Sequence, residues 1–253
     1  MQLTYRGSVN RWECDENDHL NVRFYLEKHW QTLCGWLGGL PDPQVATAAL
    51  SEALQTQHVR FLQESRLATP LSGYAGVVAA DDQGIAVLTE LRHSFTETVL
   101  CTCVHTLQGL TARVTDSLPD YAGPRGVPGR DLEYVHLPLA ELARFGFAPI
   151  GMGVAQAGEC QPDGELMVHN YMARISDAMP HLWGELAEDE GGAVLEYRFR
   201  YHQPLRREQA FAVMSGIAEV GEKVQRFAHL IFATDSGALC VSAQAAGVRM
   251  DLR

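Results

Sequence analysis

The stretch from Trp12 to Asn21 reads W-E-C-D-E-N-D-H-L-N and sets a carboxylate (Asp15), an imidazole (His19) and a carboxamide (Asn21) within a few residues of one another. A carboxylate so placed serves as a general base that draws a proton from water, or as a nucleophile that attacks a carbonyl carbon. The residue types do not choose between the two. His19 and Asn21 add groups that orient water or substrate, and Glu64 is a second acid able to stand in for Asp15. Each has a structural alternative. An Asp just ahead of a helix commonly caps it, Tyr25 packs with a satisfied hydroxyl, and Glu64 pairs with Arg60 or Arg66. His93 and His229 fall on strands, where histidine is usually structural. No carboxylate spacing argues for a metal, and neither metal nor other cofactor is expected.

These side chains need a frame. Asn17 or Asp18 is placed to cap a helix running to about Leu37, with Leu20, Phe24, Leu26, Trp30, Leu33 and Leu37 as its apolar positions, and Gly38 and Gly39 end it before Pro41. Strands follow over 59–62, 74–80, 85–95 and 100–110, with the turn Asp81-Asp82-Gln83-Gly84 closing a hairpin. The pattern then restarts with a strand over 147–157, a helix over 167–183, and strands over 193–201, 210–218, 223–234 and 239–249.

The restart is also visible residue by residue. Glu13, Cys14, Leu20, Val22 and Tyr25 recur as Glu159, Cys160, Leu166, Val168 and Tyr171, each 146 positions later. A second match lays Arg60, Phe61 and Leu67 over Arg198, Phe199 and Leu205 at an offset of 138, which requires an eight-residue insertion within 39–57. Pro119, Gly123, Pro124, Gly126, Pro128 and Gly129 mark a linker. The expected organisation is a first unit over 1–114, a linker over 115–135 and a second unit over 136–253. One helix followed by an antiparallel sheet, twice, specifies an α+β fold in which each sheet curls around its own long helix.

With 253 residues, 46% of them apolar, the chain can bury a full core. A net charge of −11 argues against nucleic acid as a partner. The apolar runs fall short of the ~20 residues a membrane helix needs, and the opening MQLTYRGSV lacks a signal peptide's apolar stretch. A cytoplasmic protein without a membrane partner is expected. The six cysteines form no C-x-x-C pair and are expected to be reduced.

The segment from Val9 to Trp30 resembles the opening of the 4-hydroxybenzoyl-CoA thioesterase family of hotdog proteins, V-x-x-x-D-x-D-x-x-G-H-x-N followed by a helical Tyr. Glu13, Asp15, His19, Asn21 and Tyr25 stand at the corresponding positions, with Asp18 in place of the glycine. The stretch from His58 to Leu71 resembles H-x-R-Y-L-x-E-x-R-x-G-D-P-L of thioesterase-like relatives, with His58, Arg60, Phe61 and Glu64 in register. The resemblance implies two tandem hotdog units forming a pseudodimer that hydrolyses an acyl-CoA. One site is competent, because Gln161 replaces the acid in the second half. It further implies an oxyanion hole at the partner helix N-terminus, Met167, Val168 and His169, and a substrate-facing Tyr25. Arg206 and Arg207, with Arg125 and Arg130, are the candidates for the CoA phosphates. Such pseudodimers can assemble further into a homo-oligomer. Hotdog folds also host acyl-CoA hydratases and dehydratases, and a non-catalytic acyl-binding protein is the alternative from another class.

Overall fold

The computed structural model describes residues 1–15, 17–39, 50–185, 192–221 and 223–249. The chain divides into two compact units, Met1–Gly123 and Pro124–Arg253.

The first unit contains β1 (Gln2–Ser8), α1 (Val22–Gly38), a short α2 (Leu50–Ala53), β2 (Leu54–Phe61), β3 (Pro70–Ala80), β4 (Gly84–His93) and β5 (Val99–Gln108). Its strands are antiparallel in the order β1-β3-β4-β5-β2. The second unit contains β6 (Ala148–Val154), α3 (His169–Glu185), β7 (Gly192–Tyr201), β8 (Ala210–Val220), β9 (Val224–Ala233) and β10 (Leu239–Arg249). Its order, β6-β8-β9-β10-β7, repeats the first unit's topology. Among the described residues no helix is long and apolar enough to cross a membrane.

α1 begins one turn later than the expected caps. Asn21, rather than Asn17 or Asp18, accepts the Arg23 N–H (3.1 Å) and starts the helix. Tyr25, Leu26, Trp30, Leu33 and Leu37 form its buried stripe. The helix lies close on β3: a side chain at Gly73 would meet the Thr32 hydroxyl at 2.2 Å. The β3–β4 turn closes as expected, with Asp81 Oδ1 accepting the N–H groups of Gln83 (2.9 Å) and Gly84 (3.0 Å).

The helix-facing layer of the first unit is polar at its centre. The buried Thr89 hydroxyl donates to the Cys103 carbonyl (3.2 Å) and lies 2.8 Å from His29 Nδ1 and 2.9 Å from His105 Nε2. With its proton spent, this oxygen accepts from both rings. Gln57 Nε2 then donates to His105 Nδ1 (2.9 Å). A ring that accepts at Nδ1 is neutral, which fixes His105, and burial lowers the pKa of both imidazoles, that of His105 to about 3. In the second unit His229 meets the Ser215 hydroxyl at 2.7 Å, and burial lowers its pKa to about 3.

The structure corrects the second sequence match. The N–H groups of Leu62 and Gln63 bond to the Leu100 carbonyl, and those of His202 and Gln203 to that of Cys240. Left-handed φ values recur at Ala68 and Glu208, and at Glu97 and Gly237. All these pairs stand 140 positions apart, not 138, so Arg60 corresponds to Arg200 and Phe61 to Tyr201, and the insertion is six residues. A shift of two residues along a strand keeps every side chain on the same face, so alternation alone cannot expose the error. Of the segment expected to hold the insertion, residues 40–49 lie outside the described residues.

The Pro- and Gly-rich stretch is an ordered strap rather than a free tether. In the first unit Thr115 and Asp116 bond to Val77, Arg60 Nη1 reaches the Gly123 carbonyl (2.7 Å), and the Tyr121 hydroxyl donates to the buried Glu90 carboxylate (2.6 Å). In the second unit the Arg125 and Gly126 N–H groups bind the buried Glu196 carboxylate, and Gln244 holds the Arg130 carbonyl (2.7 Å). Leu132, Tyr134, Val135 and Leu137 then pack on Phe147, Met214, Leu230 and Phe232.

Candidate active site

The corner between β1 and α1 is built from backbone hydrogen bonds that the sequence motif sets up. Glu13 Oε2 accepts the Asn10 N–H (2.8 Å), and Glu13 Oε1 receives Lys28 Nζ from α1 (2.7 Å) in a buried ion pair. The Glu13 carbonyl accepts the Asn21 N–H (2.9 Å). Between these anchors the chain folds into a tight turn. Asp15 N–H donates to the His19 carbonyl (2.8 Å), while Asp15 Oδ1 accepts the N–H groups of Asn17 (2.9 Å) and His19 (3.0 Å). Asp18 adopts φ +58°, the left-handed conformation for which the resembling motif carries glycine, and Gly164 occupies the equivalent place at φ +88°. Asp tolerates this region better than most residues.

Asp15 thus caps its own turn instead of the helix. Both backbone donors fall on Oδ1, which fixes the carboxylate. His19 Nε2 lies 3.3 Å from Glu64 Oε2, and His19 is bridged through its backbone to Arg66. Asp15, His19 and Glu64 therefore come together at one corner, with Asn21 at its base as the helix cap. Leu20 N–H donates to the Ser65 carbonyl (2.7 Å), tying the turn to the segment that carries Glu64.

Tyr25 lies in the first turn of α1. It is buried, packs edge-on against Phe61, and its hydroxyl accepts the Ser65 N–H (3.0 Å). Burial pushes that hydroxyl's pKa well up. Tyr25 thereby supports the segment that carries Glu64, and Tyr171 does the same for the Leu205 N–H (2.8 Å). The Met167 N–H donates to the Glu159 carbonyl (2.9 Å). Val168 is buried, and His169 is the first residue of α3.

The second corner repeats the frame with other side chains. Gln161 N–H donates to the Glu165 carbonyl (2.7 Å), so Glu165 takes the place of His19, and Pro204 that of Glu64. Glu165 pairs with Arg206 (3.2 Å). Arg207 is exposed and donates its backbone N–H to the Gly164 carbonyl. Glu159 pairs with Arg174 as Glu13 does with Lys28. Lys28 escaped the sequence reading, although a cation at both Lys28 and Arg174, at the same 146-residue offset as the glutamates, could have found it.

An open cleft of roughly 560 Å3 adjoins the first corner, lined by Gln63, Glu64, Arg66, His93, Thr96 and Thr98 among others.

No protein-family model matches the chain, and no curated protein matches it in sequence. Solved structures do. A putative oleoyl thioesterase from Lactobacillus plantarum superposes with a TM-score of 0.69 at 12% identity, covering 97% of this chain and 95% of that one. A 12:0-ACP thioesterase from Umbellularia californica gives 0.67 at 13% identity, covering 97% and 93%. A protein of unknown function with a hot dog fold from Alicyclobacillus acidocaldarius gives 0.59 at 11% identity, covering 99% and 96%. The chain has the hotdog fold.

Proposed function

We propose that this chain is a tandem double hotdog that hydrolyses acyl thioesters, with acyl-CoA as the substrate class and the working acid in the first unit. Asp15 acts as general base toward water or as nucleophile toward the thioester carbonyl, and His19, Asn21 and Glu64 orient the reacting groups. The observation that carries this reading is the contrast between corresponding corners. One gathers Asp15, His19 and Glu64, whereas the other keeps the same backbone bonds around Gln161, Glu165 and Pro204. The names of the fold neighbours point the same way.

The test is release of free thiol from short, medium and aromatic acyl-CoA esters and from a carrier-protein-bound acyl group. Asp15→Asn keeps Oδ1 as acceptor for both N–H groups, so the turn survives while the base is lost. Turnover is expected to fall by a factor on the order of 10²–10⁴. Glu64→Gln is expected to retain more activity, and Gln161→Ala to change little. A folded wild-type protein that releases no thiol from any ester removes this reading.

A further inference from the structure

The cleft beside Glu64 contains a cation whose counterpart in the second unit is neutralised. Arg66 and Arg206 are equivalent, each donating its N–H to the residue three positions on, Thr69 or Gln209. Each is also bridged to the turn residue opposite, His19 or Glu165. Arg206 spends its guanidinium on Glu165. Where Glu165 stands, the first unit has His19, whose ring turns to Glu64 instead. Arg66 is exposed, and its side chain has no ion-pair or hydrogen-bond partner among the described residues.

A second donor lines the same cleft. His93 Nδ1 accepts the N–H groups of Phe95 (3.3 Å) and Thr96 (3.2 Å), so the ring's own proton sits on Nε2. The equivalent position in the second unit is Ala233. A guanidinium and an imidazole N–H in one depression suit an anion, and a protein of net charge −11 needs such a local cation to hold one. Glu64 also lines the cleft, with its carboxylate on His19.

We propose that this cleft is an anion subsite with Arg66 as its cation, engaging a negatively charged group of the substrate. That group is either a phosphate of the thiol carrier or a carboxylate on the acyl chain. The inference rests on the thioester reading for what the anion belongs to. It is tested with Arg66→Ala and Arg66→Lys on three thioesters: the best acyl group on CoA, the same group on N-acetylcysteamine, and succinyl-N-acetylcysteamine. Arg66→Ala is expected to raise KM on the order of tenfold for one anionic thioester at unchanged kcat, with the neutral thioester unmoved and Arg66→Lys intermediate. Selective loss on CoA assigns the phosphate, and selective loss on the succinyl ester assigns the carboxylate. An equal change on all three esters, or none, overturns the subsite. Calorimetric binding of free CoA and of succinate separates the two readings. If the wild type hydrolyses nothing, weaker binding of either ligand to Arg66→Ala upholds the subsite alone, and equal or absent binding overturns it.

Discussion

Lowering the pH from 7 to 5 should remove a large part of the folding free energy, and the cause is the set of buried neutral histidines. His105 and His229 are fully buried, and burial holds both near a pKa of about 3 in the folded state, against an ordinary value of about 6.5. Their folded pKa is depressed, so the unfolded chain takes up protons first. Their stabilising effect is complete above about pH 6.5 and is lost at about 1.4 kcal/mol per pH unit per ring as the pH falls toward 3. Between pH 7 and 5 that amounts to about 2 kcal/mol for each ring, or about 4 kcal/mol for both, out of a typical total of 5–15. His29 shifts in the same direction, through burial and then the nearby His105. The hydrogen bonds give the same sign independently, because a proton on His105 Nδ1 would face the Gln57 donor. Asp116, held low by the terminal ammonium, titrates below this window. Urea unfolding at half-unit pH steps measures the slope, and His105→Gln and His229→Gln should each flatten it. A midpoint that does not move between pH 7 and 5, or a slope the two variants leave unchanged, would refute the reasoning.

Three further outcomes follow from the frame. Tyr25→Phe leaves the buried Ser65 N–H without its acceptor and should cost about 1–3 kcal/mol in urea unfolding, with Tyr171→Phe doing the same at Leu205. Lys28→Met isolates the buried Glu13 carboxylate and should cost about 3–5 kcal/mol, whereas Lys28→Arg should cost far less, since Arg174 already fills the equivalent place. Ala68→Gly relieves a β-carbon at φ +64° and should raise stability by up to about 1 kcal/mol, read as a higher melting temperature.

Much of the architecture was legible because its signals are local. The 3.6-residue stripe from Leu26 to Leu37 and the alternation through Ile85, Val87, Thr89 and Leu91 specify element type without knowledge of partners. The residues gathered at the first corner were legible for the same reason: Asp15, His19 and Asn21 lie within one turn of chain. What the sequence hid depends on contacts between distant segments. The strap is an example, since Pro and Gly announce irregular chain but not that Tyr121 and Gly126 satisfy Glu90 and Glu196. The two-residue slip in the repeat was invisible because a strand shifted by two presents the same face. The roles of Tyr25 and Met167 turned on hydrogen bonds to Ser65 and Glu159, which spacing alone does not reveal.

The duplicated frame also separates scaffold from chemistry, which a single domain could not do. What both units keep belongs to the shared frame, since it persists where Gln161 stands in place of Asp15. That covers the glutamate-to-cation pair (Glu13 with Lys28, Glu159 with Arg174), the tyrosine hydroxyl on the following segment, and the left-handed residue in the turn. Those features make the corner fold, and an ion pair kept in both copies, buried in the first and half-buried in the second, is better read as a register device than as catalytic machinery. Among what differs are the candidate side chains themselves: Asp15 against Gln161, His19 against Glu165, Glu64 against Pro204. The substitution at His19 acts twice. It sets an imidazole beside the Glu64 carboxylate, and it leaves Arg66 without the carboxylate that Arg206 meets in the other unit.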